Sequence, residues 1–157
     1  MRPSLRRAAL AAACLLASAM ATACAGPAAQ GARVSYTCCS ASVTAPSWHP
    51  GQQLPVTWTR VGNVPTGQSI QPVTLSAVMT GPFSSATALK AAINQGRGGS
   101  VTARAANITI SRNPPRTPVS VITIPANAPP GFYDLEFTMT LGLGGGSASG
   151  ESIVTVG

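Results

Sequence analysis

The chain has 157 residues, of which 45% are hydrophobic and 8% are charged, and its formal net charge is +7. Three of its ten basic residues, Arg2, Arg6 and Arg7, precede a hydrophobic leader. The remaining seven basic residues and the three acidic residues give the rest of the chain a formal net charge of +4. Those seven are scattered among segments poor in aromatic residues, so nucleic acid is not expected as a partner. About 125 residues follow the leader, enough for one core and too few for two domains of usual size.

Residues 1–23 have the layout of a secretory signal peptide. After the basic start, residues 8–23 form an uncharged run rich in Ala and Leu that ends in small residues. The run is about 16 residues long, shorter than the roughly 20 that a membrane-spanning helix needs. We therefore predict that this segment is cleaved and that the rest of the chain is extracellular or at the cell surface.

The residues around Cys24 leave two cleavage sites open. The segment Ala-Thr-Ala-Cys at 21–24 resembles a bacterial lipoprotein signal, in which the cysteine becomes lipidated and is the membrane anchor. A cut after Ala25, at the end of the small-x-small sequence Ala23-Cys24-Ala25, would instead remove Cys24 and release the protein. Residues 24–32 are small, uncharged and contain Pro and Gly, which is typical of a flexible tether.

Two adjacent cysteines, Cys38 and Cys39, lie in the first predicted strand, residues 34–43. Neighbours on a strand point to opposite faces, which predicts one buried thiol and one exposed thiol that could join two copies. A strained disulfide between the two, which would break the strand, is an equal alternative, since adjacent Cα atoms are only about 3.8 Å apart. Together with His49 they could also bind Cu(I), so a soft-metal or redox protein is a further alternative. We favour a structural role without a metal site.

The segment Ser-Trp-His-Pro-Gly at 47–51 is predicted to be a turn. Trp48 in this turn either packs over the end of the fold or lies exposed, where it could stack on a sugar or contact a partner. His49 is the single histidine of the chain and is expected to face solvent rather than act as a general base. Trp48 and His49 are therefore a candidate binding surface.

Apolar and polar residues alternate along most of the remaining chain, which is the pattern of strands with one buried face. The clearest apolar face belongs to residues 133–141, and Trp58 is predicted to be a core aromatic. Seven strands are predicted, over residues 34–43, 56–60, 73–80, 101–110, 119–124, 133–141 and 152–156.

Residues 84–96 depart from this pattern and predict a short helix. Ser84 or Ser85 can cap its start, Leu89 and Ile93 lie on one face, and Gly96 ends it. One helical crossover among seven strands predicts an all-β, immunoglobulin-like Greek-key sandwich over residues 33–157. Residues 113–118 contain three prolines and are predicted to be a loop or a sheet edge.

Several spaced segments resemble the immunoglobulin-like secreted β-sandwich domains of unknown function from actinobacteria. The layout is also similar to the Ig-like domain of fungal cell-wall-assembly proteins. Pro-Gly at 50–51 leading into Val-Thr-Trp at 56–58, and Pro-Pro-Gly-Phe-Tyr at 129–133, carry the resemblance. It implies a cell-surface or cell-wall module whose partner is a wall polysaccharide or another surface protein. It supplies no catalytic residues and no cofactor.

Asp134 and Glu136 are two positions apart on a predicted strand, so their carboxyls share a face at a spacing compatible with a glycosidase pair. That face lies opposite the apolar stripe, and we expect it to be solvated and to lack a cleft that would perturb a pKa. A carbohydrate-active enzyme is therefore the less favoured alternative, and no enzymatic activity is predicted.

Overall fold

The structure is a computed structural model that describes residues 31–39, 47–64, 67–142 and 144–157. The predicted signal peptide, the lipidation candidate Cys24 and most of the predicted tether lie outside the described residues. Residues 40–43 of the first predicted strand also lie outside them. Within the described residues, no helix is long and apolar enough to cross a membrane.

Eight strands and one helix make up the described part of the chain. In chain order they are β1 (Ser35–Cys38), β2 (Gln53–Val61), β3 (Val73–Phe83), α1 (Ala86–Asn94), β4 (Val101–Arg104), β5 (Ile108–Ile110), β6 (Val119–Thr123), β7 (Gly131–Leu141) and β8 (Ser147–Val156). The strand predicted over residues 101–110 is two strands, because Arg104 pairs with Val78 whereas Ile108 pairs with Leu75. One extra residue therefore opposes β3 at this point and interrupts the ladder, as in a β-bulge.

The strands form two antiparallel sheets that pack as a sandwich. One sheet has the order β1-β2-β6, and the other has the order β4-β3-β7-β8 with β5 also paired to β3. The chain crosses from β2 to β3, and β6 then returns to pair with β2 before β7 rejoins β3. This connection is a Greek key of the immunoglobulin type, which confirms the predicted all-β sandwich.

The inner faces of both sheets share one hydrophobic core. Trp58 of β2 and Tyr133 of β7 are its largest fully buried side chains, and Trp58 is only 1% exposed. The alternation along β2 and β3 is regular, with every second residue buried until the strand ends. The predicted role of Trp58 as a core aromatic is confirmed.

Helix α1 forms where the sequence predicts it. The Ser85 side chain caps the start by accepting a hydrogen bond from the Ala88 amide at 3.0 Å, and Gly96 follows the end with a φ of 65°. Leu89 is 1% exposed, yet it is not part of the central core. The helix packs against β3 and β7, so it is a third layer on the outer face of the second sheet.

The Pro-Pro-Gly corner before β7 closes one end of the core. Gly131 has a φ of 151°, and the Tyr133 hydroxyl donates a hydrogen bond to the Pro129 carbonyl at 2.7 Å. A Cβ on Gly81 would lie 2.4 Å from the Tyr133 ring, so the ring packs directly on the β3 backbone. Only glycine permits this approach.

Two segments outside the strands are hydrogen-bonded to the sandwich. Ala32, at the end of the predicted tether, donates to the Ser69 carbonyl at 2.9 Å and accepts from the Gln71 amide at 3.1 Å. Residue 32 is therefore part of the folded domain. The proline-rich loop 113–118 runs along the edge of β2, where the Arg60 amide donates to the Arg116 carbonyl at 2.8 Å.

Candidate functional site

A cleft of about 210 Å³ lies on the outer face of the second sheet, between β3, β7 and the segment that follows α1. One wall is apolar and one side is polar. Its lining consists of Thr80, Phe83, Ile93, Gly96, Arg97, Gly98, Asp134 and Glu136. The two carboxylates singled out in the sequence therefore line a concave site.

The register of the second sheet positions the polar side of this cleft. Asp134 of β7 lies between Thr80 of β3 and Ile153 of β8, and the next outward residue, Glu136, lies opposite Glu151. Helix α1 and residues 96–98 cover part of this face. The prediction that this face lacks a cleft was wrong, because the crossover helix packs on it and Asp134 is half-buried, whereas Glu136 is exposed as predicted.

Asp134 has an unusual environment for a carboxylate. Its Oδ1 atom is buried and has no hydrogen-bond partner among the described residues. Burial is the main cause that raises the pKa of Asp134, and together with the neighbouring charges of Glu151 and Glu136 it brings the pKa to about 6. Near neutral pH the group thus changes between its neutral and ionised forms, which is typical of functional carboxyls.

Strands β7 and β8 hold all the acidic residues of the chain. The sequence contains three Asp and Glu, and all three lie on the outer face of β7 and β8. Glu136 and Glu151 lie directly opposite each other, and like charges in this arrangement destabilise a sheet. Arg97, an exposed residue, also lines this cleft. The site thus combines acceptors, a strong donor, a hydroxyl and the apolar side chains of Phe83 and Ile93.

Replacement of Asp134 by asparagine is expected to stabilise the protein above pH 6. Between the ordinary pKa of 3.8 and about 6, the folded chain keeps a proton that the unfolded chain has lost. The wild type therefore loses stability as the pH rises through this window, and the variant does not. The upper bound is roughly 3 kcal/mol, which solvent screening of this half-exposed group reduces to about 1 kcal/mol. Urea unfolding from pH 4 to 8 measures the difference.

Glu151→Gln is the control for this experiment. It removes one of the charges that raise the pKa of Asp134 but leaves the cleft lining intact, so it should make the pH dependence shallower without abolishing it. Parallel stability profiles for the wild type and Asp134→Asn would show that this carboxyl titrates normally.

Cys38 and Cys39 are joined by a disulfide. Strand β1 ends at Cys38, and Cys39 has a φ of 54°, so the chain leaves the ladder at this point. Both residues are half-buried against the core, and the prediction of one buried and one exposed thiol was wrong because the bond holds both sulfurs together. As a disulfide, neither sulfur is a thiolate ligand. Among the described residues, no group of three or more His, Cys, Asp and Glu could hold a metal ion.

Trp48 and His49 lie at a different place from the cleft, beside the end of β8. The Trp48 amide donates to the Thr155 carbonyl at 2.9 Å, and the Trp48 carbonyl accepts from the Gly157 amide at 2.8 Å. The Trp48 side chain is half-buried against the core, whereas His49 is exposed and its ring contacts the Gly157 carbonyl. A partner-binding role for this pair stays a prediction.

Sequence reasoning missed Arg97, Thr80 and Phe83 as site residues. Arg97 is one of the seven basic residues that the sequence shows as scattered, and Gly96 is predicted only to end the helix. One signal was available: the predicted helix connects two strands of one sheet, so it had to lie on one face of that sheet. The alternation of residues along the predicted strand identifies the face of the sheet on which Asp134 lies. No local sequence pattern, however, predicts which face the helix covers.

No protein-family model matches the sequence, and no curated protein matches it. Among solved structures, the fold is similar to that of a DUF4466 family protein from Parabacteroides merdae ATCC 43184, with a TM-score of 0.40 and 9% sequence identity. The similarity covers 77% of this chain and 43% of that protein, so the chain spans less than half of its length. A likeness of this degree does not extend to function.

Proposed function

We propose that the chain is an exported, non-catalytic module of the cell surface that binds a wall polysaccharide through the cleft beside Asp134. The observation that carries this proposal is the composition of the cleft. The carboxylates of Asp134 and Glu136 line it together with Arg97, Thr80 and an apolar wall. These are the groups that a polyhydroxylated ring requires.

A sugar suits this lining because each of its hydroxyls is both a donor and an acceptor. One hydroxyl can donate to the carboxylates of Asp134 or Glu136, and another can accept from Arg97. The carbon face of the ring can pack on Phe83 or Ile93. The cavity of about 210 Å³ is smaller than a drug-sized pocket of roughly 300–1,000 Å³, so it fits one sugar unit or a chain end.

The export part of the proposal rests on the sequence. The predicted signal peptide, residues 1–23, and the resemblance to secreted Ig-like domains both support a location outside the cell. Cys24 is the proposed lipid anchor, so the membrane is contacted through lipid alone. No cofactor and no nucleic acid are part of this function.

Binding to isolated wall polysaccharide tests the proposal. We expect Arg97→Gln to weaken binding of the exported chain about tenfold, because it removes a charged donor from the cleft. Arg104→Gln is the matched control: Arg104 is exposed on neighbouring β4 and does not line the cleft, so the same charge change should leave affinity unaltered. Equal losses in both variants, or no binding of the wild type, would contradict the cleft as the site. If the chain binds a surface protein and not the polysaccharide, that protein is the partner of the cleft.

A carbohydrate-active enzyme is a second candidate, and one observation favours it. The cleft and the pKa of about 6 at Asp134 are what a general acid near neutral pH needs, with Glu136 as the second carboxylate. Release of reducing ends from the bound polysaccharide distinguishes the two functions. Hydrolysis that Asp134→Asn abolishes while binding persists would replace the binding-only proposal.

A further inference from the structure

The outer face of the first sheet differs from the rest of the surface because it carries no charge. The outward residues of β1, β2 and β6 are Thr, Val, Ser, Pro and Gln throughout. We call this surface the Thr/Val face; its centre is formed by Thr57, Thr59, Val61, Val119 and Val121. The described residues outside this face carry seven Lys and Arg.

The Thr/Val face also holds the exposed large hydrophobic residues. Val61 is 52% exposed, Val119 is 47% exposed and Val121 is 42% exposed, and these are the large hydrophobic side chains classed as exposed among the described residues. The register places Val119 beside Thr57 and Val121 beside Pro55, so β-branched and ring side chains form adjacent rows. Helix α1 covers part of the outer face of the other sheet, whereas nothing in the described chain covers this one. Apolar patches of this kind often mark interaction sites.

We propose that the Thr/Val face binds the same face of a second copy of this chain. The net positive charge of the chain favours contact between two copies at this face, because two copies repel each other wherever their Lys and Arg residues come close. Contact through the uncharged face avoids that repulsion. Rows of Val and Thr on two such faces can interdigitate like the inner faces of a β-sandwich, about 10 Å apart. The contact is two-fold symmetric, since the same patch is used on both copies.

The size of the face sets the strength of this contact. Strand β2 has nine residues, so the face is about 30 Å long, and its three staggered strands are at most about 14 Å wide. Each copy therefore contributes roughly 300–400 Å², below the ~800 Å² per partner of a stable complex. The dimer is consequently weak and reversible. It forms where many copies share one surface and their local concentration is high.

Sedimentation equilibrium of the exported chain between about 10 µM and 1 mM tests the proposal. We expect a monomer at the low end and a rising dimer fraction toward the high end. Val119→Lys should weaken dimerisation at least tenfold, because a two-fold contact brings two new ammonium groups together. Thr87→Lys, at an exposed position of α1, adds the same charge away from the face and should leave dimerisation unchanged.

Val119 is exposed, so its replacement is expected to fold, and thermal unfolding of both variants verifies this. A wild type that stays monomeric at 1 mM would overturn the proposal. So would a dimer that Val119→Lys and Thr87→Lys weaken equally. Loss of polysaccharide binding in Val119→Lys, without any self-association of the wild type, would assign the face to that polymer instead.

Discussion

Replacement of Trp58 by alanine is expected to lower the free energy of unfolding by about 3–5 kcal/mol. Trp58 is 1% exposed in the centre of the core, and its ring meets Phe137 edge-on with centroids 6.1 Å apart. Its indole N–H donates to the Ser120 hydroxyl at 3.0 Å, and Ser120 is itself buried. The variant therefore leaves a large cavity and an unpaired hydroxyl. Because small domains are stable by only about 5–15 kcal/mol, this loss removes between about a fifth and all of the free energy of unfolding.

Chemical denaturation measures this loss, and two milder variants separate its causes. Trp58→Phe keeps most of the ring volume but leaves the Ser120 hydroxyl without its partner, so we expect a cost of about 1–3 kcal/mol. Adding Ser120→Ala to Trp58→Phe should recover part of that cost, because no buried hydroxyl then lacks a partner. A loss below about 1 kcal/mol in Trp58→Ala would mean that β2 does not form the centre of the core.

Leu89→Ala is expected to lower the free energy of unfolding by about 2–4 kcal/mol and also to change the candidate site. Leu89 is the buried residue of α1 and holds the helix on the outer face of the second sheet. Burial is the main cause of the raised pKa of Asp134. If the helix loosens, water reaches the carboxyl, and its pKa should fall toward the ordinary value near 3.8.

Titration of the Asp134 carboxyl by NMR, together with urea unfolding, measures both effects. Lys90→Ala is the control, because Lys90 is the exposed neighbour of Leu89 on the same helix and should alter neither quantity. A loss of stability in Leu89→Ala without any fall in the pKa of Asp134 would mean that the helix is not the source of this burial. The cleft would then depend on β3 and β7 rather than on α1.

The shape of the cleft depends on how firmly a short helix packs on the sheet. An isolated nine-residue helix is not stable in water, so α1 persists through its packing. Ligand binding across β7 and residues 96–98 should in turn stabilise the helix, since a ligand that binds only the folded form favours it. Protection of the α1 amides against hydrogen exchange would report this coupling.

The sequence by itself determined the local features. Alternation at a period of two marked the buried faces of β3 and β7, because successive side chains of a strand point to opposite sides. Ser85 and Gly96 marked the ends of α1, since capping depends on neighbouring backbone groups alone. Such signals span a few residues and are therefore readable without the fold.

Only the tertiary structure decided the features that join distant segments. The pairing of β7 with β8 sets Glu151 opposite Glu136, and the packing of α1 on β3 and β7 forms one side of the cleft at Asp134, although neither contact has a sequence signature. The adjacent cysteines were compatible with a disulfide or with two thiols, and the end of β1 at Cys38 decided between them. The candidate site depends on which face a crossover covers, and packing across the whole sheet determines that choice.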